Sequence, residues 1–129
     1  MGALDGKKVL VVGGSSGMGE GVAKLAAAAG AHVTIASRSH DKLAAAAKRL
    51  GKRVEPAILD ATSDAAVAKF FAEGAVWDHV CISAGGGGRG NIKDLDIATA
   101  MTAMDAKFWV AFRIAKAATI AKDGSLTFL

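Results

Sequence analysis

Short apolar runs alternate along the chain with segments in which apolar residues recur at helical spacing. Residues 10–12 lie in a continuous apolar run, residues 31–36, 53–59 and 77–83 are short segments rich in apolar residues, and a fifth segment begins at Ser125. Such runs are typical of strands buried on both faces of a parallel sheet. Helical spacing occupies residues 17–29, 41–50 and about 97–122, with a further helix around Phe70. The pattern predicts one three-layer α/β domain, a doubly wound parallel sheet between helices.

Two details predict how these elements pack. The first helix carries an inward stripe of Val22, Leu25, Ala26 and Ala29, and Gly30 is placed to end it. Pro56 lies inside the third strand and has no backbone donor, so that strand belongs at an edge of the sheet. An outermost third strand agrees with the order 3-2-1-4-5.

The first strand leads into a glycine-rich turn and then a helix. Glycines here permit a tight bend, close approach of backbone to a ligand, and close packing of helix on strand. The helix start offers unpaired N–H groups that bind phosphate. The predicted binding residues are Gly13, Ser15, Ser16, Gly17, Met18 and Gly19. The alternative is a tight turn that binds nothing.

This turn resembles the Thr-Gly-Gly-Ser-Ser-Gly-Ile-Gly turn of the short-chain dehydrogenase/reductase family. Val12 and Met18 stand where that family commonly has Thr and Ile, and Val12 lacks the hydroxyl that braces the turn. The resemblance implies a Rossmann fold and hydride transfer between a nicotinamide cofactor and an alcohol or carbonyl substrate. It extends over essentially all 129 residues, but only over the cofactor-binding half of the family.

The second strand ends in Ser37-Arg38-Ser39, where a dinucleotide-binding fold reads the adenosine ribose. An acid at this point would bind the 2′-hydroxyl of NAD, whereas Arg38 suits the 2′-phosphate of NADP. We therefore expect NADP, with NAD as the less favoured cofactor. The alternative is an ordinary surface arginine.

Two further turns match the family. Asp60-Ala61-Thr62 is similar to its adenine site, while Asp60, Thr62, Ser63 and Asp64 all suit a helix N-cap. Both roles can hold, with Asp60 at the ligand and Ser63 or Asp64 as the cap. Ser83-Ala84-Gly85 matches its Asn-Ala-Gly turn beside the cofactor, with Ser83 in place of Asn. The glycines from Gly85 to Gly90 suit either a flexible linker or a loop that closes over a ligand.

The apolar surface of residues 97–122 is too broad for a single buried face. Met101, Met104, Phe108, Phe112 and Ala115 form one stripe, a pattern usually found in the core, and Trp109 lies outside it. The excess predicts a homo-oligomer formed through this region, as is common in the family. Lys107 occupies the slot of the family's catalytic Asn, which puts that part of the mechanism in doubt; an outward-facing lysine is the alternative.

The sequence gives no sign of a membrane-spanning, secreted, nucleic-acid-binding or metal-binding protein. No apolar run is long enough to span a bilayer, and the N-terminus lacks the apolar segment of a signal peptide. The net charge of +4 is not concentrated with aromatic residues, so we expect no nucleic-acid or membrane partner. The histidines lack metal-ligand spacing, and Cys81 is the single cysteine, which suggests a reducing cytoplasm.

The sequence contains no tyrosine and stops within its fifth predicted strand. The family places its catalytic Ser after that strand, followed by a Tyr-x-x-x-Lys motif. We therefore expect a sheet incomplete at its C-terminal side, catalytic residues beyond residue 129, and no carbonyl reduction by these residues alone. The alternative function is a non-catalytic NADP-binding module or a truncated regulatory relative.

Overall fold

Parallel strands form the centre of the molecule. The computed structural model describes residues 2–86 and 89–129, and in them the strands lie in the order β3-β2-β1-β4-β5, every pair parallel. The strands are β1 (Lys8–Val12), β2 (His32–Ser37), β3 (Val54–Ile58), β4 (Val76–Ile82) and β5 (Thr119–Phe128). The predicted order is confirmed, and Pro56 lies in the edge strand β3.

Helices cover both faces of this sheet. They are α1 (Gly17–Ala28), α2 (His40–Leu50), α3 (Asp64–Ala72), α4 (Ile97–Met104) and α5 (Val110–Ala117), with a π-helical segment, Asp105–Trp109, between the last two. Side-chain caps begin three of them: Ser39 for α2, Ser63 for α3 and Asp96 for α4. Each cap satisfies a backbone N–H that the first turn leaves without a partner.

Alternate residues of each strand enter opposite cores. Val9 and Val11 pack with α1 and α2, whereas Leu10 and Val12 pack with α3 and α5. All four are at most 4% exposed, as expected for a strand covered on both faces. The three-layer prediction is confirmed.

Two predictions about helix packing are wrong. In α1 the buried side chains are Ala23 and the predicted Ala26, and the predicted Val22 packs against the same core. Leu25 is 73% exposed, because a helix lying close to the sheet turns its small side chains inward. In the later helices Val110 and Ile114 fill the core. The predicted stripe from Met101 to Ala115 is exposed instead.

The last helix also ends earlier than predicted. It stops at Ala117 rather than near residue 122, and β5 begins at Thr119. The β-branched pair Thr119 and Ile120 joins β4, and the register then shifts before Ser125 pairs with His79. The apolar residues before residue 125 suited either a helix or a strand, and pairing with β4 decided between them.

Candidate functional site

A crevice of about 560 Å³ opens at the carboxyl ends of the strands. In an open α/β sheet this is where ligands bind, at the point where the strand order reverses. Most of the predicted cofactor-binding residues line it, namely Gly13, Ser15, Ser16, Ser37, Arg38, Ser39, Asp60, Ala61, Ala84 and Gly85. Gly17, Met18, Gly19 and Ser83 are not among the lining residues.

The glycines of the first turn serve different purposes. A Cβ on Gly13 (φ +85°) would lie 2.7 Å from the Ala84 nitrogen, so this turn packs directly on the turn after β4. A Cβ on Gly19 would lie 2.1 Å from the Gly13 oxygen, so α1 also packs on it. Gly17 (φ +56°) has no atom within 4 Å of such a Cβ, and it leaves open space at the helix start. We call Gly13, Gly17 and Gly19 together the glycine cradle.

The N-terminus of α1 directly follows Ser15 and Ser16, which line the crevice. Ser16 is the N-cap residue, and its side chain makes no capping hydrogen bond. The first N–H groups of a helix have no intrahelical partner, and they carry the positive end of its dipole. A phosphate group placed there would meet backbone donors and a favourable charge.

The end of β2 brings cations and a buried hydroxyl together. Ser37 Oγ is buried and, among the residues that the structure describes, has no hydrogen-bond partner. Arg38 is exposed beside it, and Lys42 from the first turn of α2 lines the same crevice. The sequence analysis did not predict Lys42 as a binding residue, although it lies only four residues after Arg38. A buried hydroxyl without a partner is costly, so a ligand atom bonded to Ser37 would remove that cost.

Asp60 is held in one orientation by its neighbour. Its Oδ1 accepts hydrogen bonds from the Thr62 hydroxyl (2.6 Å) and backbone N–H (3.0 Å). The Thr62 side-chain and backbone bonds, and then the charges of Arg38 and Arg113, hold the pKa of Asp60 below its ordinary value of 3.8. Ser63, not Asp60, caps α3. Asp60 is therefore an ionised acceptor at the crevice.

The other end of the crevice lies beyond β4 and β5. Gly85 lines it, and the Lys107 side chain crosses over Gly85, with its Cε 3.0 Å from where a Cβ would lie. The Lys107 ammonium donates a hydrogen bond to the backbone oxygen of Leu129, at the end of β5. The predicted glycine linker or closing loop includes Gly87 and Gly88, which lie outside the described residues.

Arg113 fixes the π-helical segment against α3. Its guanidinium donates to Asp64 Oδ1 through Nε (2.5 Å) and to Asp105 Oδ1 through Nη1 (3.1 Å). The hydrogen bond to Asp64 raises the pKa of Arg113 above its usual value, and the bond to Asp105 adds a smaller increase. Sequence reasoning missed this cluster because its members are far apart in the chain.

The described part of the chain gives no support for metal chemistry or a membrane span. Residues 2–86 and 89–129 contain no group of three or more His, Cys, Asp or Glu side chains arranged to hold a metal ion. No helix within those ranges combines the length and the apolar character needed to cross a bilayer.

The chain matches the model of one protein family and several solved structures. The family model described as short chain dehydrogenase matches residues 7–125. No curated protein matches the sequence. Among solved structures, a short chain dehydrogenase/reductase family protein superposes with a TM-score of 0.87 at 29% identity, covering 97% of this chain and 55% of that one.

Two further solved structures come from named bacteria. A short-chain type dehydrogenase/reductase from Mycobacterium ulcerans has a TM-score of 0.80 and 30% identity, covering 89% of this chain and 46% of its own. The Pseudomonas aeruginosa RhlG/NADP active-site complex has a TM-score of 0.80 and 25% identity, with 88% and 46% covered. The chain thus spans about half the length of these relatives. It belongs to the short-chain dehydrogenase/reductase family of oxidoreductases.

Proposed function

We propose that the chain forms the cofactor-binding part of an NADP(H)-dependent oxidoreductase that interconverts an alcohol and a carbonyl compound. The observation that carries the choice of NADP is the end of β2. There Arg38 and Lys42 line the same crevice as the Ser37 hydroxyl, which has no hydrogen-bond partner among the described residues, and Ser37-Arg38-Ser39 contains no acid. A 2′-phosphate would receive two cations and a hydroxyl donor, whereas the NAD ribose would find no carboxylate there.

The rest of the crevice suits the remainder of a dinucleotide. The cradle of Gly13, Gly17 and Gly19 with the α1 N-terminus would hold the pyrophosphate, and Met18 lies between two of these glycines at the start of α1. Asp60 and Ala61 would receive the adenine amine. Ser83, Ala84 and Gly85 would flank the nicotinamide ribose. When bound, the nicotinamide supplies the hydride chemistry, and the chain's residues orient it. The NADP complex of the Pseudomonas relative supports this choice.

Proton transfer to the carbonyl needs groups that these residues do not supply. The 129 residues contain no tyrosine, the residue that would donate this proton in the family. We therefore propose that catalytic Ser, Tyr and Lys residues belong to a longer protein, and that the 129-residue chain binds NADP(H) without reducing carbonyls. A second candidate function, a non-catalytic NADP-binding module, shares the same cofactor site.

The exposed apolar residues of the later helices support self-association. Phe108, Trp109 and Phe112 contact one another as an aromatic cluster, and each is about half exposed. We propose that this surface, within residues 97–117, forms a homo-oligomer interface. We also place the protein in the cytoplasm, since its single cysteine, Cys81, is buried and unpaired.

A binding titration tests the proposed cofactor. NADPH fluorescence is followed as the chain is added, in parallel with NADH, for the native chain and for Ser37→Ala. We expect NADPH to bind at least about tenfold more tightly than NADH, because hydrogen bonds to a charged group are worth about 1.5–3 kcal/mol. Ser37→Ala should weaken NADPH more than NADH. Equal affinities for the two cofactors would overturn the NADP proposal.

A further inference from the structure

Asp105 brings a second carboxylate to the wall of the crevice. It is the first residue of the π-helical segment, and it lines the crevice together with Thr102 and Ala106. Its side chain is 42% exposed. Asp105 Oδ1 accepts a hydrogen bond from Arg113, whereas Oδ2 forms none within residues 2–86 and 89–129. Because each oxygen of an ionised carboxylate can accept more than one hydrogen bond, Asp105 retains acceptor sites for a ligand.

Arg113 ties Asp105 to the end of the crevice that contains Asp60. Its guanidinium also binds Asp64, which lies in the first turn of α3, four residues after Asp60. The positive charge of Arg113 is one of the causes that lower the pKa of Asp60. Asp60 and Asp105 both line the crevice, and we therefore place them at the same end of it.

Apolar side chains complete this end of the crevice. Leu59 and Val110 line it from the core and are 3% and 2% exposed, and Ala61 and Ala106 line it as well. The crevice thus combines an apolar surface with two carboxylates. Adenine fits this combination, because its ring is flat and its exocyclic amine is a hydrogen-bond donor, whereas a 6-oxo purine presents an acceptor oxygen at the same position.

We propose that Asp105 is a second acceptor for the adenine amine, and that Asp60 and Asp105 together select a 6-amino purine over a 6-oxo purine. An ionised carboxylate only accepts hydrogen bonds, so the oxygen of a 6-oxo purine would face it without a donor. Arg113 is a positioning residue, since it holds Asp105 in place. The inference rests on the proposed dinucleotide-binding function and adds a specificity-determining residue to it.

Two pairs of probes that differ at position 6 of the purine test the inference. One pair is NADP⁺ and nicotinamide hypoxanthine dinucleotide phosphate, and the other is AMP and IMP. Calorimetry measures their affinities for the native chain and for Asp105→Asn, which keeps the size but replaces one acceptor with a donor. Asp64→Asn is the matched control, because it removes the other carboxylate bound to Arg113 and Asp64 is not among the residues lining the crevice.

We expect the native chain to bind NADP⁺ at least about tenfold more tightly than the hypoxanthine analogue, and AMP more tightly than IMP, because hydrogen bonds to charged groups are strong. Asp105→Asn should remove most of this preference, whereas Asp64→Asn should keep it. Equal binding of the two dinucleotides by the native chain, or an unchanged preference in Asp105→Asn, would overturn the inference. An equal loss of preference in both variants would also overturn it, since the Arg113 cluster would then act only by shaping the crevice.

A measurement on the native chain needs no variant. Carboxyl ¹³C NMR should show a larger shift of the Asp105 signal with saturating AMP than with IMP. An Asp105 signal that does not respond to AMP would overturn the inference even if Asp105→Asn fails to fold.

The NADP⁺ titration separates this failure from failure of the proposed function. If NADP⁺ binds but the purine preference does not depend on Asp105, only the inference fails. If NADP⁺ does not bind, the proposed function fails, and AMP and IMP still decide whether Asp105 recognises the base. No binding of AMP would overturn the inference as well.

Discussion

Gly19 lies so close to Gly13 that the two residues fix where α1 begins. A Cβ on Gly19 would lie 2.1 Å from the carbonyl oxygen of Gly13, and Gly13 itself packs on the Ala84 backbone. The helix start, the β1 turn and the β4 turn therefore form one packed unit. Its close contacts hold the start of α1 next to Ser15 and Ser16, which line the crevice where we place the pyrophosphate.

The first prediction concerns this packing. Gly19→Ala should lower the free energy of unfolding by at least about 2 kcal/mol, because the added methyl meets backbone that has little room to move. Gly21→Ala is the matched control in the same helix, since no atom lies within 4 Å of its Cβ position. In that control the free energy of unfolding should rise by about 0.5–1 kcal/mol. Urea unfolding measures both, and equal effects would contradict the close packing.

The second prediction concerns cofactor choice. Arg38→Asp should weaken NADP⁺ binding by at least about tenfold, because it replaces a phosphate donor with a repelling charge. The new carboxylate can accept a hydrogen bond from the ribose 2′-hydroxyl, so NAD⁺ should bind more tightly relative to NADP⁺. Lys42→Gln should weaken the binding of NADP⁺ and leave the binding of NAD⁺ unchanged. Calorimetry of both cofactors measures the change, with Lys48→Gln as the control, and an unchanged ratio in Arg38→Asp argues against the 2′-phosphate assignment.

The third prediction concerns pH. Hydrogen bonds from Thr62 depress the pKa of Asp60, so its ionised form stabilises the fold above the ordinary value of 3.8, and this contribution is lost as the pH falls through the lower folded-state pKa. Thr62→Val removes the largest cause and should raise the pKa of Asp60, whereas Thr62→Ser keeps the hydroxyl.

Carboxyl ¹³C NMR of Asp60 between pH 2 and pH 6 measures this pKa. The stability deficit of Thr62→Val relative to the native chain should be present at pH 7 and should shrink below about pH 4. An identical Asp60 titration in the native chain and Thr62→Val would show that the hydroxyl does not hold the carboxylate.

The fourth prediction concerns assembly. If the aromatic cluster of Phe108, Trp109 and Phe112 forms an interface, Phe112→Asp should convert an oligomer to a monomer, because it places a charge where apolar surface is buried. Leu25→Asp is the control, since Leu25 is exposed on the other face of the sheet. Light scattering after gel filtration gives the mass. A native chain that is already monomeric at high concentration would rule the interface out.

The sequence predicted the elements whose signals lie within a few neighbouring residues. A continuous apolar run located β1, and glycine spacing located the turn before α1 and hence the crevice. Tertiary pairing decided what local pattern could not. The residues after Ala117 suited a helix until pairing with β4 made Thr119 and Ile120 part of a strand. Leu25 was expected to be buried because it is apolar and lies at helical spacing from Val22. It is exposed, since hydrophobicity alone does not show which face of a helix packs closely against the sheet.

The candidate site was incomplete for the same reason. Lys42 enters the crevice from the first turn of α2, and only the fold brings it beside Ser37 and Arg38. Arg113 binds Asp64 across 49 positions of sequence, a contact that no local pattern encodes. Lys107 was assigned to a slot by resemblance, and its route over Gly85 to Leu129 depends on the π-helical segment.

The central claim is that the crevice at the carboxyl ends of β1, β2 and β4 binds NADP(H). The most direct measurement is a titration of NADP⁺ into ¹⁵N-labelled chain, followed by backbone amide NMR. We predict saturable shifts at Gly13 to Gly19, at Ser37 to Ser39 and at Asp60 and Ala61, with smaller shifts for NAD⁺ around Arg38. No saturable shifts, or shifts confined to residues away from this crevice, would contradict the account.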